Sequence, residues 1–152
     1  MLKNLAFKFI NVTFISQTKA TIYSCKIMET LSPNIFTNNM AQTIAFYETL
    51  GFTKTMSVPE TGDDLVWVMM TSGAVTFMFQ TFDSLADELP QISRNNGASQ
   101  LLYINVKDIN GYFEQLKDKV TILKGLEKTF YGATEFTIVD NNNYVLTFAQ
   151  HE

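Results

Sequence analysis

Cysteine, histidine and tryptophan each occur once in this 152-residue chain, and proline only three times. The lone Cys25 cannot close an internal disulfide, so nothing asks for an oxidising compartment and a cytoplasmic location is expected. No apolar run of about 18 uncharged residues is present, so no membrane-spanning helix is expected. Basic charge is also short: 11 Lys and Arg stand against 15 Asp and Glu, a net charge of −4. That balance lacks the electrostatic footprint that nucleic acids and anionic membranes require. There is no glycine-rich phosphate loop, no Gly-x-Ser-x-Gly elbow and no Cys/His metal cluster. Nucleophilic catalysis and a thiolate metal site therefore have no sequence support, and a small molecule or another protein is the expected partner.

What is there is apolar: 46% of residues are hydrophobic and 13% aromatic, enough for a substantial core in a single domain of this length. The charge is unevenly spread. Residues 1–27 hold Lys3, Lys8, Lys19 and Lys26 and no acid, whereas residues 28–152 are strongly acidic. Three readings of the first segment compete. A signal peptide is opposed by Lys8, which interrupts the apolar stretch from Leu5 to Ile15, and the Ile22-Tyr23-Ser24-Cys25 run is a poor lipoprotein site. An extra strand fits Phe7 to Val12. The preferred reading makes residues 1–27 a dispensable extension or misassigned start, with a domain over 28–152.

Strands and helices alternate from there. Asn34 to Thr37 predicts a strand, and Asn39, with Gln42 three residues on, predicts a helix cap. The helix runs from Met40 to Leu50 with Met40, Ile44 and Tyr47 inward, and Gly51 ends it. Strands are expected over Phe52 to Val58, Leu65 to Met70 and Ala74 to Phe82, followed by a polar connection from Asp83 to Asn96. Gln100 to Val106 begins the same order again. Asp108 caps a helix containing Ile109, Phe113 and Leu116, and strands follow over Val120 to Leu126, Thr134 to Val139 and Tyr144 to Ala149. The last two are joined by Asp140-Asn141-Asn142-Asn143, where Asn tolerates a positive φ. Each half reads strand, helix, strand, strand, strand. An offset of 70 pairs Val75 with Val145, and one of 69 pairs Asn39-Met40 with Asp108-Ile109.

Ile44 to Phe52, with its aromatic pair followed by Leu-Gly-Phe, resembles the first-helix signature of the vicinal oxygen chelate superfamily, the glyoxalase, bleomycin-resistance and extradiol-dioxygenase type proteins. Val106 to Ile109 resembles the start of its second helix. Tyr131 to Asp140 resembles its final hairpin, with Asn141-Asn142-Asn143 where the family usually has Pro-Asp-Gly. The resemblance implies an α+β fold of two βαβββ modules, about 31–82 and 100–150, whose mixed sheets curl around a cavity usually completed in a homodimer. Enzymes of the family hold a divalent metal with His, Glu or Gln from the first and last strand of each module. Counted from the signatures, those four positions fall near Ser32, Phe77, Leu101 and Thr147. None is a good ligand, because Phe and Leu offer no lone pair, so no metal and no cofactor is expected.

Strand alternation instead predicts a cavity lining of Ser32, Asn34 and Phe36; Val75, Phe77 and Phe79; Leu101, Tyr103 and Asn105; and Val145, Thr147 and Ala149. Ile35, Met78, Leu102, Ile104, Val106, Leu146 and Phe148 are expected beneath the helices. Trp67 and Met69 share a face and read as core. His151 reads as a frayed terminal residue, Glu135 as a strand carboxylate facing water and Asp63-Asp64 as a solvated turn. The function expected is metal-independent binding that sequesters an apolar, aromatic or cationic ligand, as in bleomycin-resistance proteins. The alternative is a metal-dependent lyase, isomerase or dioxygenase of the glyoxalase type.

Overall fold

Residues 29–152 are described by the computed structural model. The readings placed on residues 1–27, on Cys25 and on a domain start at Met28 lie outside them.

The first module is β1 (Asn34–Thr37), α1 (Met40–Thr49), β2 (Thr53–Val58), β3 (Trp67–Ser72) and β4 (Val75–Thr81). A short α2 (Phe82–Leu85) begins the connection. The second module is β5 (Leu101–Asn105), α3 (Ile109–Leu116), β6 (Thr121–Lys128), β7 (Ala133–Val139) and β8 (Val145–His151). Each sheet has four strands, in the orders β1-β4-β3-β2 and β5-β8-β7-β6, with one parallel pair (β1 with β4, β5 with β8) and antiparallel pairs elsewhere. This is the expected α+β arrangement.

The caps explain where the helices start. Asn39 accepts a hydrogen bond from the Gln42 amide at 3.0 Å and Asp108 accepts one from Gly111 at 3.0 Å, each satisfying an otherwise unpaired first-turn donor. Gly51, at φ +85°, takes the left-handed turn that lets Phe52 re-enter the core. Inside α1 the fully buried partner of Met40 and Tyr47 is Thr43, while Ile44 is only half-buried. A polar residue can sit there because its hydroxyl is 2.9 Å from that of Thr37 and accepts from the side chains of Asn141 and Asn142.

One core serves both modules. Tyr47 packs edge-on against Phe52 and Phe77 and lies 4.5 Å from Phe79, while Tyr112 and Phe113 pack against Phe136 and Phe148. These groups merge into a single apolar cluster. Each fully buried aromatic contributes about 2–3 kcal/mol by removal from water. The two halves are also bonded to each other: Tyr112 donates its hydroxyl to the Leu50 carbonyl at 2.8 Å, and Tyr47 donates to Asp140 at 2.9 Å. Asp140 in turn accepts from the Asn142 and Tyr144 amides. Burial pushes the Tyr47 phenol well above its ordinary value, and the Asp140 charge adds to the effect. Burial likewise raises the Asp140 carboxyl, against its three hydrogen bonds.

The helices and the residues beneath them occupy the space between the sheets. The opposite face of each sheet therefore turns outward, and the sheets do not close around a shared cavity within one chain.

Candidate functional site

Strand register decides which side chains reach each outward face. In the first sheet, Asn34 pairs with Met78, Ile35 with Phe79, and Phe79 with Val68. Cross-strand partners share a face, so Ile35, Phe77 and Phe79 lie beneath α1, and Asn34, Met78 and Met69 face outward. Val75, Phe77 and Phe79, expected to line the cavity, are thus on the helix side, and Met78, expected beneath the helix, is not. The repeat offset along β4 is 69 rather than 70, which makes Met78 the counterpart of Thr147. Phe36 is on the outward face but buried there, stacked 5.7 Å from Phe82 and closed over by Leu85 and Ile92. Trp67 and Met69 share a face as expected, but it is the outward one, and both are half-buried. Asn34 donates to the side-chain oxygen of Gln80 at 3.0 Å across this face. Ser32 precedes β1 and is half-buried.

The second sheet follows the predicted alternation. Leu101 pairs with Val145, Tyr103 with Thr147 and Asn105 with Ala149, all outward, while Leu102, Ile104, Leu146 and Phe148 point to the core. Thr147 is buried with its hydroxyl 3.0 Å from that of Thr137. Tyr103 leans across β8, reaching Glu135 on β7 at 2.5 Å. Tyr131 donates to the same Glu135 oxygen at 2.8 Å. His151 is no frayed end: it pairs with Ala133 in the sheet and brings Nε2 to 3.3 Å from the Tyr103 hydroxyl. The bond to Glu135, then partial burial and the carboxylate's charge, push the Tyr103 phenol up to about 12, and the same carboxylate raises Tyr131. Both phenols are therefore donors at neutral pH. Sequence reasoning had set Glu135 and His151 aside. The one available signal was the spacing of Tyr131 and Glu135 around the Gly132 turn.

An open cleft of about 560 Å³ lies where the β1 side of the first sheet approaches the β5 edge of the second. Val75, Phe77, Leu101, Tyr103 and Asn105 of the predicted lining meet there, with Leu102 and Ile104. Ser32, Asn34, Phe36, Phe79, Val145 and Thr147 do not line it. Its volume lies in the range of small-molecule sites, with apolar side chains predominating and a few polar groups at the rim.

With Phe77 turned toward the core, the positions from which the superfamily draws metal ligands hold Ser32, Met78, Leu101 and Thr147, with Asn34 and Gln80 beside them on the first sheet. Thioether, methyl and hydroxyl groups are poor donors for a divalent cation, and Asn34 and Gln80 are bonded to each other. Among the described residues no three His, Cys, Asp or Glu side chains are grouped to hold a metal ion. The residues present do not fit the superfamily's metal centre.

Paired βαβββ modules with open sheet faces define a class of small-molecule binding and metalloenzyme folds. The chain belongs to the glyoxalase/bleomycin resistance protein/dioxygenase superfamily, whose model matches residues 27–148. Solved structures agree on the fold. A glyoxalase/bleomycin resistance protein/dioxygenase family enzyme from Burkholderia phytofirmans PsJN superposes with a TM-score of 0.65 at 20% identity, covering 80% of this chain and 98% of that one. The bleomycin resistance determinant encoded on transposon Tn5 gives 0.59 at 22% identity, covering 82% and 99%. TioX from Micromonospora sp. ML1 gives 0.65 at 14% identity, covering 82% and 100%. A search of curated protein sequences finds no match.

Proposed function

We propose that this chain is a metal-independent, cytoplasmic small-molecule binding protein that sequesters an apolar or aromatic ligand, working as a homodimer in which a second subunit closes over the outward sheet faces. The observation that carries this reading is the cleft beside β5. Leu31, Pro33, Val75 and Leu101 supply apolar contact area, while Tyr103 and Asn105 offer polar groups that fix orientation. The mismatch between the donor set and a divalent cation favours binding over metal-dependent turnover. A solved relative of the same fold is a bleomycin-binding protein in complex with bleomycin, with a TM-score of 0.55 at 21% identity. That likeness supports sequestration as a use of this architecture.

Binding without chemistry needs only apolar area, orientation and exclusion of water. The neutral fluorophore N-phenyl-1-naphthylamine tests the cleft directly. Its emission is expected to rise on the wild-type protein and to fall by at least about tenfold in apparent affinity for Val75→Arg, which puts a charge against the cleft's apolar lining. Native mass spectrometry is expected to give a dimer without bound metal. One metal per subunit together with turnover of a vicinal-oxygen substrate overturns the reading in favour of the glyoxalase-type alternative.

A further inference from the structure

We infer that the outward face of the second sheet carries a site for an organic cation, an alkylammonium group held between the Tyr103 and Tyr131 rings against Glu135. The inference rests on the cleft reading and deepens it, because Tyr103 belongs to both places: it lines the cleft and joins the Glu135 cluster. A ligand whose apolar body fills the cleft would carry its charged group across Tyr103 to Glu135.

Three features point to a cation. The first is that Glu135 is held in place. Two phenols donate to its Oε1, at 2.5 and 2.8 Å, and leave its Oε2 without a donor among the described residues. A carboxylate fixed in this way presents a charge at no further cost in side-chain freedom. The second is that its charge is unpaired. The ion pairs among the described residues are Lys117 with Glu114, Lys124 with Glu127 and Lys128 with Glu152, and Glu135 belongs to none of them. Lys124 is near enough to feel the Glu135 charge, but its ammonium is 2.7 Å from Glu127.

The third feature is the surrounding aromatic surface. Tyr103 and Tyr131 are each about half-exposed, and the His151 ring centroid lies 6.1 Å from that of Tyr103. Ring faces attract a diffuse cation through their quadrupole, whereas a metal ion requires several more oxygens than one carboxylate supplies. Ala149, the cross-strand neighbour of Glu135, contributes only a methyl group to the floor, which gives Tyr103 room to cross β8 and set its ring beside the carboxylate.

Choline and its uncharged isostere 3,3-dimethylbutan-1-ol, titrated into the full chain and followed by amide chemical shifts, separate charge from shape. Choline is expected to shift the resonances of Tyr103, Tyr131, Glu135 and His151 saturably, and to bind at least about tenfold more tightly than the alcohol. Glu135→Gln and Tyr131→Leu are each expected to weaken choline by about tenfold or more, with Glu114→Gln on α3 unchanged. Retained binding of N-phenyl-1-naphthylamine checks that the variants are folded. Equal affinity for choline and the alcohol, undiminished choline binding by Glu135→Gln, or no choline response overturns the cation site. Failure with choline while the fluorophore still binds leaves the cleft reading standing, and failure of both removes both.

Discussion

In the first sheet Ile35 stands beside Phe79, and in the second Ile104 stands beside Phe148, each pair offset from the other by 69 positions. On the far side of the same strands the correspondence stops. The row Asn34, Met78, Met69 in the first sheet has Tyr103, Thr147, Thr137 as its counterpart, and Gln80 beside Trp67 is answered by Ala149 beside Glu135. The first face is neutral and filled by thioether, indole and amide groups, with Phe36 roofed by α2. The second has small side chains at its centre, crossed by Tyr103, with a second phenol, an imidazole and a carboxylate around them. Close packing holds a core position to a narrow range of volumes, whereas an outward face answers only to what binds it. Two modules built on one plan can therefore carry different surfaces.

The sharpest way to probe that comparison is to cut equivalent core residues. Phe79→Ala and Phe148→Ala are each expected to cost about 3–5 kcal/mol, with one cooperative transition in urea for both variants, because the cluster is shared. Two separated transitions would show that the modules have independent cores. Asp140→Ala breaks the link between the halves. It strands the Tyr47 hydroxyl and the Asn142 and Tyr144 amides, and about 3 kcal/mol of loss in urea melts is expected.

Alkaline pH reaches both halves through tyrosines. Burial raises Tyr47 in the first module and Tyr112 in the second above their unfolded values. Their contribution to stability is complete below about pH 10 and is lost as pH rises toward the folded values, because the unfolded chain releases protons that the native state keeps. For each tyrosine the slope is expected to steepen through pH 10, from near zero at pH 9 toward a limit of about −1.4 kcal/mol per pH unit above pH 11, read from urea midpoints. Tyr47→Phe and Tyr112→Phe each remove one proton from it. The smallest effect is expected on the outward face: Gln80→Ala, which ends the bond from Asn34, is expected to change stability by under about 1 kcal/mol.

The order of elements and both helix caps were legible because Asn39, Gly51 and Asp108 act through local chemistry. The face of β4 was not. Val75, Phe77, Met78 and Phe79 are apolar on both sides of the strand, so alternation carries no sign, and a one-residue slip exchanges the faces. In β5 and β8, Asn105 and Thr147 mark the outward side, and there the reading of the sequence agrees with the structure. Glu135 and His151 were invisible as partners because what joins them to Tyr103 is lateral strand pairing across the sheet. Thr43 was missed as a buried residue because its partners, Asn141 and Asn142, are nearly a hundred residues away.

That separation has a kinetic meaning. The turn at residues 140–143 inserts into the junction of β1 and α1, through bonds that span 93 to 105 positions of sequence. Such distant contacts require a long loop to close before they return anything, which slows the search for the native state. On the ribosome, the first module can form its sheet early, but the bonds of Thr37, Thr43 and Tyr47 to Asp140, Asn141 and Asn142 must wait until residues 140–143 emerge. The two halves therefore reach their native state together, with the second acting as the lock on the first.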